Sequence, residues 1–152
     1  MEKLDLRDIA RVLSGRAGEA GFVSSVCTDT RKLEPGCLFF ALKGANFDGH
    51  DFIGKAFELG ASAAVVERSA GFGDREILVH DTAAALLQLA GWYRRRFDLR
   101  AAAVTGSVGK TTTKDMLADI LSRRYKTLKN EGNQNNEIGL PLTLMGLGAE
   151  HQ

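Results

Sequence analysis

The chain has 152 residues, enough for one ordinary domain or two small ones with a buried apolar core. Its 20 basic and 19 acidic side chains leave a formal net charge of +1, which removes any broad electrostatic attraction to nucleic acid or to an anionic membrane. Cys27 and Cys37 lack C-x-x-C spacing and a nearby histidine. The first eight residues carry charges where a secretory signal needs an apolar run, and no later window approaches a membrane span. A cytoplasmic protein with reduced thiols is the expectation.

In chain order, Asp5 predicts a helix cap ahead of Leu6, Ile9, Ala10 and Leu13, which repeat at helical spacing up to Gly15. Residues 22–27 and 37–42 read as strands, joined through a turn with Pro35 at its second position and Gly36 at its third. Asp51 is expected to cap a helix with Phe52, Ile53, Ala56, Phe57 and Leu59 on its apolar side. Residues 63–66 then read as a short buried strand and 76–79 as another. Asp81 or Thr82 starts a long helix whose stripe is Ala83, Leu86, Leu87, Ala90, Tyr93 and Phe97. Arg94, Arg95, Arg96 and Arg100 form a basic helix end that suits the dipole.

A linker is expected at about 97–100. After it, an apolar stretch, Ala101 to Val104, is expected to be a strand running into Thr105-Gly106-Ser107-Val108-Gly109-Lys110-Thr111-Thr112 and an amphipathic helix. Strand, glycine loop and helix in that order form a phosphate-binding loop. The glycines let backbone N–H groups curl round an anion, the helix dipole points at the same spot, and Lys110 adds a full charge. Thr111 would offer its hydroxyl to Mg²⁺. The pattern G-x-x-G-K-[ST] arises by chance in roughly one in a hundred chains of this size. It is a shortened loop, since Val104 stands where the full pattern has glycine. Met116, Leu117, Ile120 and Leu121 are expected to face inward, with a strand near 126–128. Alternation of strands and helices on both sides of the linker predicts α/β layers throughout.

Three polar clusters remain. Thr28-Asp29-Thr30-Arg31 follows a strand, and Lys43-Gly44-Ala45-Asn46-Phe47-Asp48-Gly49-His50 joins a strand to a helix. Loops at strand ends beside helix starts are where α/β folds hold ligands, so Arg31, Lys43 and the backbone at Gly44 and Gly49 suit a second anion such as a nucleotide diphosphate. Plain turn chemistry around Asp-Gly accounts for the same residues equally well. The third cluster, Asn130 to Glu137, concentrates amides and glycine after a predicted strand, which suits either a loop over a polar ligand or a solvated loop.

Taken jointly, Thr28-Asp29-Thr30-Arg31, Pro35-Gly36-Cys37-Leu38-Phe39-Phe40-Ala41-Leu42-Lys43-Gly44, Asp48-Gly49-His50-Asp51-Phe52, the phosphate loop and Gly132-Asn133-Gln134-Asn135-Asn136-Glu137-Ile138-Gly139-Leu140-Pro141-Leu142-Thr143 resemble the Mur ligases of peptidoglycan synthesis over nearly the whole chain. Within that family, the last motif resembles the branch that adds D-alanyl-D-alanine to UDP-N-acetylmuramoyl-tripeptide. The sister branch that adds the third amino acid shares the other motifs. The shortened phosphate loop is the family's own form.

The resemblance implies a small α/β substrate-binding domain over 1–98 and the start of a P-loop α/β ATP-binding domain over 99–152. It implies that Thr28, Asp29, Thr30, Arg31, Lys43, Gly44, Asp48, Gly49 and His50 hold the UDP end of the substrate, and that Gly106, Ser107, Val108, Gly109, Lys110, Thr111 and Thr112 hold ATP. Lys110 and Thr111 would be the catalytic pair, with Thr111 on Mg²⁺. Asn133, Asn135, Asn136 and Glu137 would contact nucleotide or substrate. A carboxylate is phosphorylated in this scheme, and an amine attacks the acyl phosphate. The family's further metal-binding residues and amine-binding domain are not placed in this sequence. The resemblance therefore implies the N-terminal portion of a ligase, monomeric at full length, whose first 152 residues alone are inactive, with an apolar strand edge and helix face left uncovered.

Overall fold

The computed structural model describes residues 1–15, 21–132 and 136–152. Its centre is a four-stranded parallel sheet, with β3 (Ser25–Cys27), β4 (Cys37–Phe40), β5 (Ala63–Val66) and β6 (Glu76–Leu78) lying side by side in that order. The register pairs Cys27 with Phe39, Phe40 with Val65 and Val66 with Leu78. Strands β4 and β5 are buried along their whole length, as expected of a parallel sheet covered on both faces.

Alternate side chains feed two cores. Leu38, Phe40, Ala63, Val65 and Ile77 face one side with Leu86, Leu89 and Tyr93 of α3 (Thr82–Arg94) and Ile9 of α1 (Leu6–Val12). Cys37, Phe39, Ala64 and Val66 face the other side with Ile53 and Ala56 of α2 (Ile53–Glu58). Each fully buried leucine or phenylalanine contributes about 1.5–3 kcal/mol. A two-stranded antiparallel ribbon, β1 (Leu4–Asp5) with β2 (Phe22–Val23), closes the first core beside α1.

The caps follow from side-chain chemistry. Asp5 accepts from the Arg7 amide, and Asp81 accepts from the amides of Ala83 and Ala84. The 35–36 turn forms as expected, with Gly36 at φ +85° and the Cys37 amide on the Glu34 carbonyl.

Several expectations are corrected. The predicted 22–27 strand is broken at Ser24, so its halves join different sheets. Asp48 is the cap in place of Asp51, accepting from the His50 amide at the head of a 3-10 turn, Gly49–Phe52, that precedes α2. The stripe of α3 is Thr82, Ala85, Leu86, Leu89, Ala90 and Tyr93, which leaves Leu87 exposed. Ser14, at φ +55°, makes the left-handed exit from α1; Gly15 matters for close approach, since a Cβ there would lie 2.8 Å from Ile77 Cγ2.

Beyond the linker the fold thins. Residues 101–104 and 126–128 form no strand, because among the described residues no strand lies beside them to supply a ladder. Helix α4 (Lys110–Leu121) buries only Ala118; Met116 and Ile120 are 61% and 63% exposed, not inward. The uncovered helix face matches what the resemblance implied. By contrast, α5 (Gly139–Leu144) returns to the first core. Met145 and Leu147 join the cluster around Leu4 and Tyr93, and the Tyr93 hydroxyl donates to the Leu147 carbonyl (2.6 Å) while accepting from the Glu2 amide (2.8 Å).

Candidate nucleotide and substrate sites

All four parallel strands deliver their C-terminal ends to one rim, and the two polar clusters of the first segment stand there. Asp29 caps a 3-10 turn, Thr30–Lys32, through the Arg31 amide, and pairs with the Arg31 guanidinium at 2.6 Å. That partner holds the Asp29 carboxyl down to about 2. Beneath it, the Cys27 thiol donates to the Asp29 carbonyl (2.9 Å). Both cysteines are free and buried, as the sequence predicts for reduced thiols.

The second cluster is built round Asp48. One oxygen takes the His50 amide (2.9 Å) and ring Nδ1 (2.7 Å); the other takes Arg68 (2.7 Å), and these donors, Arg68 foremost, hold its carboxyl well below the usual range. His50 Nε2 accepts from the Glu67 amide (2.9 Å), so the Nδ1 proton faces Asp48. The ring is buried with both nitrogens committed to the protein, so it orders the rim. Gly49 lies so close to β4 that a Cβ would sit 2.7 Å from backbone atoms of Ala41 and Leu42. Among the described residues, the hydroxyls of Thr28 and Thr30 and the ammonium of Lys43 have no protein partner, which leaves them free for a ligand.

Sequence reasoning missed Glu67, Arg68 and Thr82. The Glu67 carboxylate receives the Thr82 amide (2.9 Å) and hydroxyl (3.0 Å), locking the start of α3 to the end of β5. Each stands directly after a strand or at a helix start on the ligand-bearing rim, and that position was the signal available.

Among the described residues no hydrogen bond or ion pair joins the phosphate loop to this rim. Gly106 (φ +150°) and Gly109 (φ +77°) take backbone conformations that favour glycine, and Gly109 is the N-cap of α4. Among the described residues, none of the amides from Gly106 to Thr112 donates to a protein acceptor; the first helical bond is Thr113 N–H to the Gly109 carbonyl. Free amides, a helix start and Lys110, whose ammonium rests on the Gly106 carbonyl, converge at one exposed spot. Ser107, Thr111 and Thr112 are exposed, and Val108 is 89% exposed. The residues present therefore suit a polyphosphate. For a metal ion, Thr111 offers one oxygen, and no group of three His, Cys, Asp or Glu residues gathers among the described residues.

Of the asparagine cluster, Asn133 and Asn135 lie outside the described residues. Asn136 Oδ1 accepts from the amides of Ile138 (3.2 Å) and Gly139 (2.7 Å), so it starts α5, and Glu137 is exposed. No helix among the described residues is long and apolar enough to cross a membrane.

Comparison with known proteins agrees with this layout. Models of the Mur ligase family catalytic domain and the Mur ligase middle domain match residues 22–94 and 104–152. UDP-N-acetylmuramoyl-tripeptide–D-alanyl-D-alanine ligase of Escherichia coli (strain K12) is 44% identical over 152 residues, covering 99% of this chain and 34% of the relative. The Bacillus subtilis (strain 168) protein of the same name is 44% identical over 97% of this chain and 34% of its own length. The chain thus spans about a third of the length of these curated relatives. Among solved structures, the UDP-N-acetylmuramoylalanyl-D-glutamyl-2,6-diaminopimelate–D-alanyl-D-alanyl ligase of Acinetobacter baumannii superposes with a TM-score of 0.91 at 37% identity, over 100% of this chain and 35% of that one. MurF ligase from Thermotoga maritima in complex with ADP gives 0.77 at 38% identity, over 85% and 30%. With two family models matched in tandem and the phosphate loop and strand-end rim in the places those motifs require, the chain belongs to the Mur ligase family.

Proposed function

We propose that this chain is the substrate- and nucleotide-binding part of an ATP-dependent ligase that joins D-alanyl-D-alanine to UDP-N-acetylmuramoyl-tripeptide in the cytoplasm, acting as a monomer. The names of the relatives at 44% identity support this branch over the one that adds the third amino acid. The division at 98/99 into a UDP-substrate part and an ATP part rests on the motifs.

The observation that carries the reading is the run of unpartnered amides from Gly106 to Thr112, ending on α4 with Lys110 beside it. Gly106 to Gly109, with Thr112, hold the phosphates through backbone donors. Lys110 swings from the Gly106 carbonyl to the phosphoryl oxygens and neutralises charge as the γ-phosphoryl moves to the substrate carboxylate. ADP leaves. The dipeptide amine then attacks the acyl carbon, the amide forms and inorganic phosphate departs. Mg²⁺, bound in part by Thr111, would supply further charge neutralisation. At the rim, Thr28, Thr30, Arg31 and Lys43 donate to the uridine diphosphate. Asp29, Asp48 and His50 hold those donors in place, while Gly44 and Gly49 let the backbone approach. Asn133, Asn135, Asn136 and Glu137 contact nucleotide or substrate.

Calorimetric titration of the chain with Mg·ADP tests the reading. Lys110→Ala removes a charge-assisted donor of about 1.5–3 kcal/mol, so affinity should fall roughly 10–100-fold. Equal affinity in wild type and variant, with UDP still bound, would instead identify a UDP-sugar-binding module.

A further inference from the structure

Helix α4 carries a second lysine one turn beyond Lys110 that the motif does not use. Lys114 is partly buried, its side chain 18% exposed, and its ammonium donates to the carbonyls of Asn130 (2.8 Å) and Gly132 (3.3 Å), with Asp115 3.7 Å away. Lys129 pairs with Asp115 at 3.1 Å and approaches Asp119 to 3.8 Å. These contacts fix a direction. As the chain runs from 129 to 132, its partners move back along α4 from Asp119 to Lys114, toward the phosphate loop. The segment is laid antiparallel on the helix, with Lys114 holding the carbonyl of Gly132, which turns at φ +50°. Beyond the asparagines, Asn136 starts α5, which is held to α3 by Met145, Leu147 and the Tyr93 hydroxyl. On one side of the asparagines the chain is thus tied to the phosphate-loop helix through Lys114, and from Asn136 onward it is tied to the substrate-binding core through α5.

The geometry points to Lys114 as a positioning residue that couples nucleotide binding at the phosphate loop to the 129–132 segment. This rests on the nucleotide reading above. An apolar contact would tie the segment to the helix through packing alone. Three donors on one flexible stem instead grip two carbonyls and keep a charge one helical turn from Lys110.

The test uses the 152-residue chain with Mg·ADP, calorimetry and peptide-level hydrogen–deuterium exchange on wild type, Lys114→Met, Lys114→Arg and Lys110→Ala. In wild type, Mg·ADP should slow exchange both in 106–113 and in 129–132. Lys114→Met should bind about 5–10-fold more weakly and protect 106–113 alone. Lys114→Arg, which keeps charge and donors, should restore protection of 129–132. A tie that only stabilises the fold would lower the thermal midpoint of Lys114→Met and leave its pattern of protection at saturating Mg·ADP as in wild type; that result overturns the proposal. Loss of binding in Lys110→Ala alone, with Lys114→Met unchanged, overturns it too and leaves the nucleotide reading standing. Equal binding in wild type and Lys110→Ala would remove both.

Discussion

The Tyr93 hydroxyl offers the sharpest test of how the molecule is held together. Tyr93→Phe keeps the ring, including its edge-on contact with Phe97 at 5.1 Å between centroids, and removes only the oxygen. Two hydrogen bonds disappear, one to the buried Leu147 carbonyl and one from the Glu2 amide. Each is worth about 1 kcal/mol net, and a buried carbonyl left without a donor costs about 1–3 kcal/mol, so the variant should lose roughly 2–4 kcal/mol. At about 2–4 °C per kcal/mol for a chain of this size, the thermal midpoint should fall roughly 4–16 °C. Urea unfolding followed by the fluorescence of Trp92, the single tryptophan, should show a lower midpoint at unchanged slope. A loss under about 0.5 kcal/mol would mean that the Tyr93 bond does not join the 139–147 segment to the first core, and the account of that core would fail.

Two further outcomes follow from local geometry. Gly49→Ala drives a Cβ into the backbone of Ala41 and Leu42 and should cost about 1–3 kcal/mol, whereas Gly54→Ala, within α2 and at an ordinary 3.6 Å from Phe72, should gain about 0.5–1 kcal/mol; equal melting temperatures would refute the contrast. Asp5 and Asp29 are held down to about 2, and Asp48 is also depressed, each by an arginine partner. A carboxyl depressed in the folded state adds stability that is present above its unfolded value near 4 and is lost as pH falls toward 2. Urea midpoints between pH 5 and 2 should therefore drop less steeply in Asp48→Asn than in wild type, and parallel curves would sink the assignment.

Much of the first segment was legible because local signals agree there. Asp5 and Asp81 cap the helices the apolar spacing predicts, and Pro35-Gly36 can make few turns other than the one observed. Asp48 and Asp51 both precede the same apolar run, and spacing alone does not choose between them; the choice falls to Asp48 because the Gly49 amide is drawn to the Leu42 carbonyl at 2.8 Å. The strand at 101–104 was a sound reading of an apolar run, yet a strand exists only beside a partner. The glycine conformations at Gly106 and Gly109 and the start of α4 at Lys110 were legible, since adjacent backbone alone sets them. Glu67, Thr82 and Lys114 act through partners 15, 41 and up to 18 residues away, which no local pattern encodes.

The docking of α5 on α3 also bears on how the chain folds as it is made. A sheet whose strands end at Leu78 would ordinarily be able to collapse once its own helices had left the ribosome. Here the Leu4 and Tyr93 cluster is completed by Met145 and Leu147, so the nascent sheet keeps an open apolar cleft while the phosphate loop and α4 are still being synthesised. Translation must pass the loop before the first core can seal.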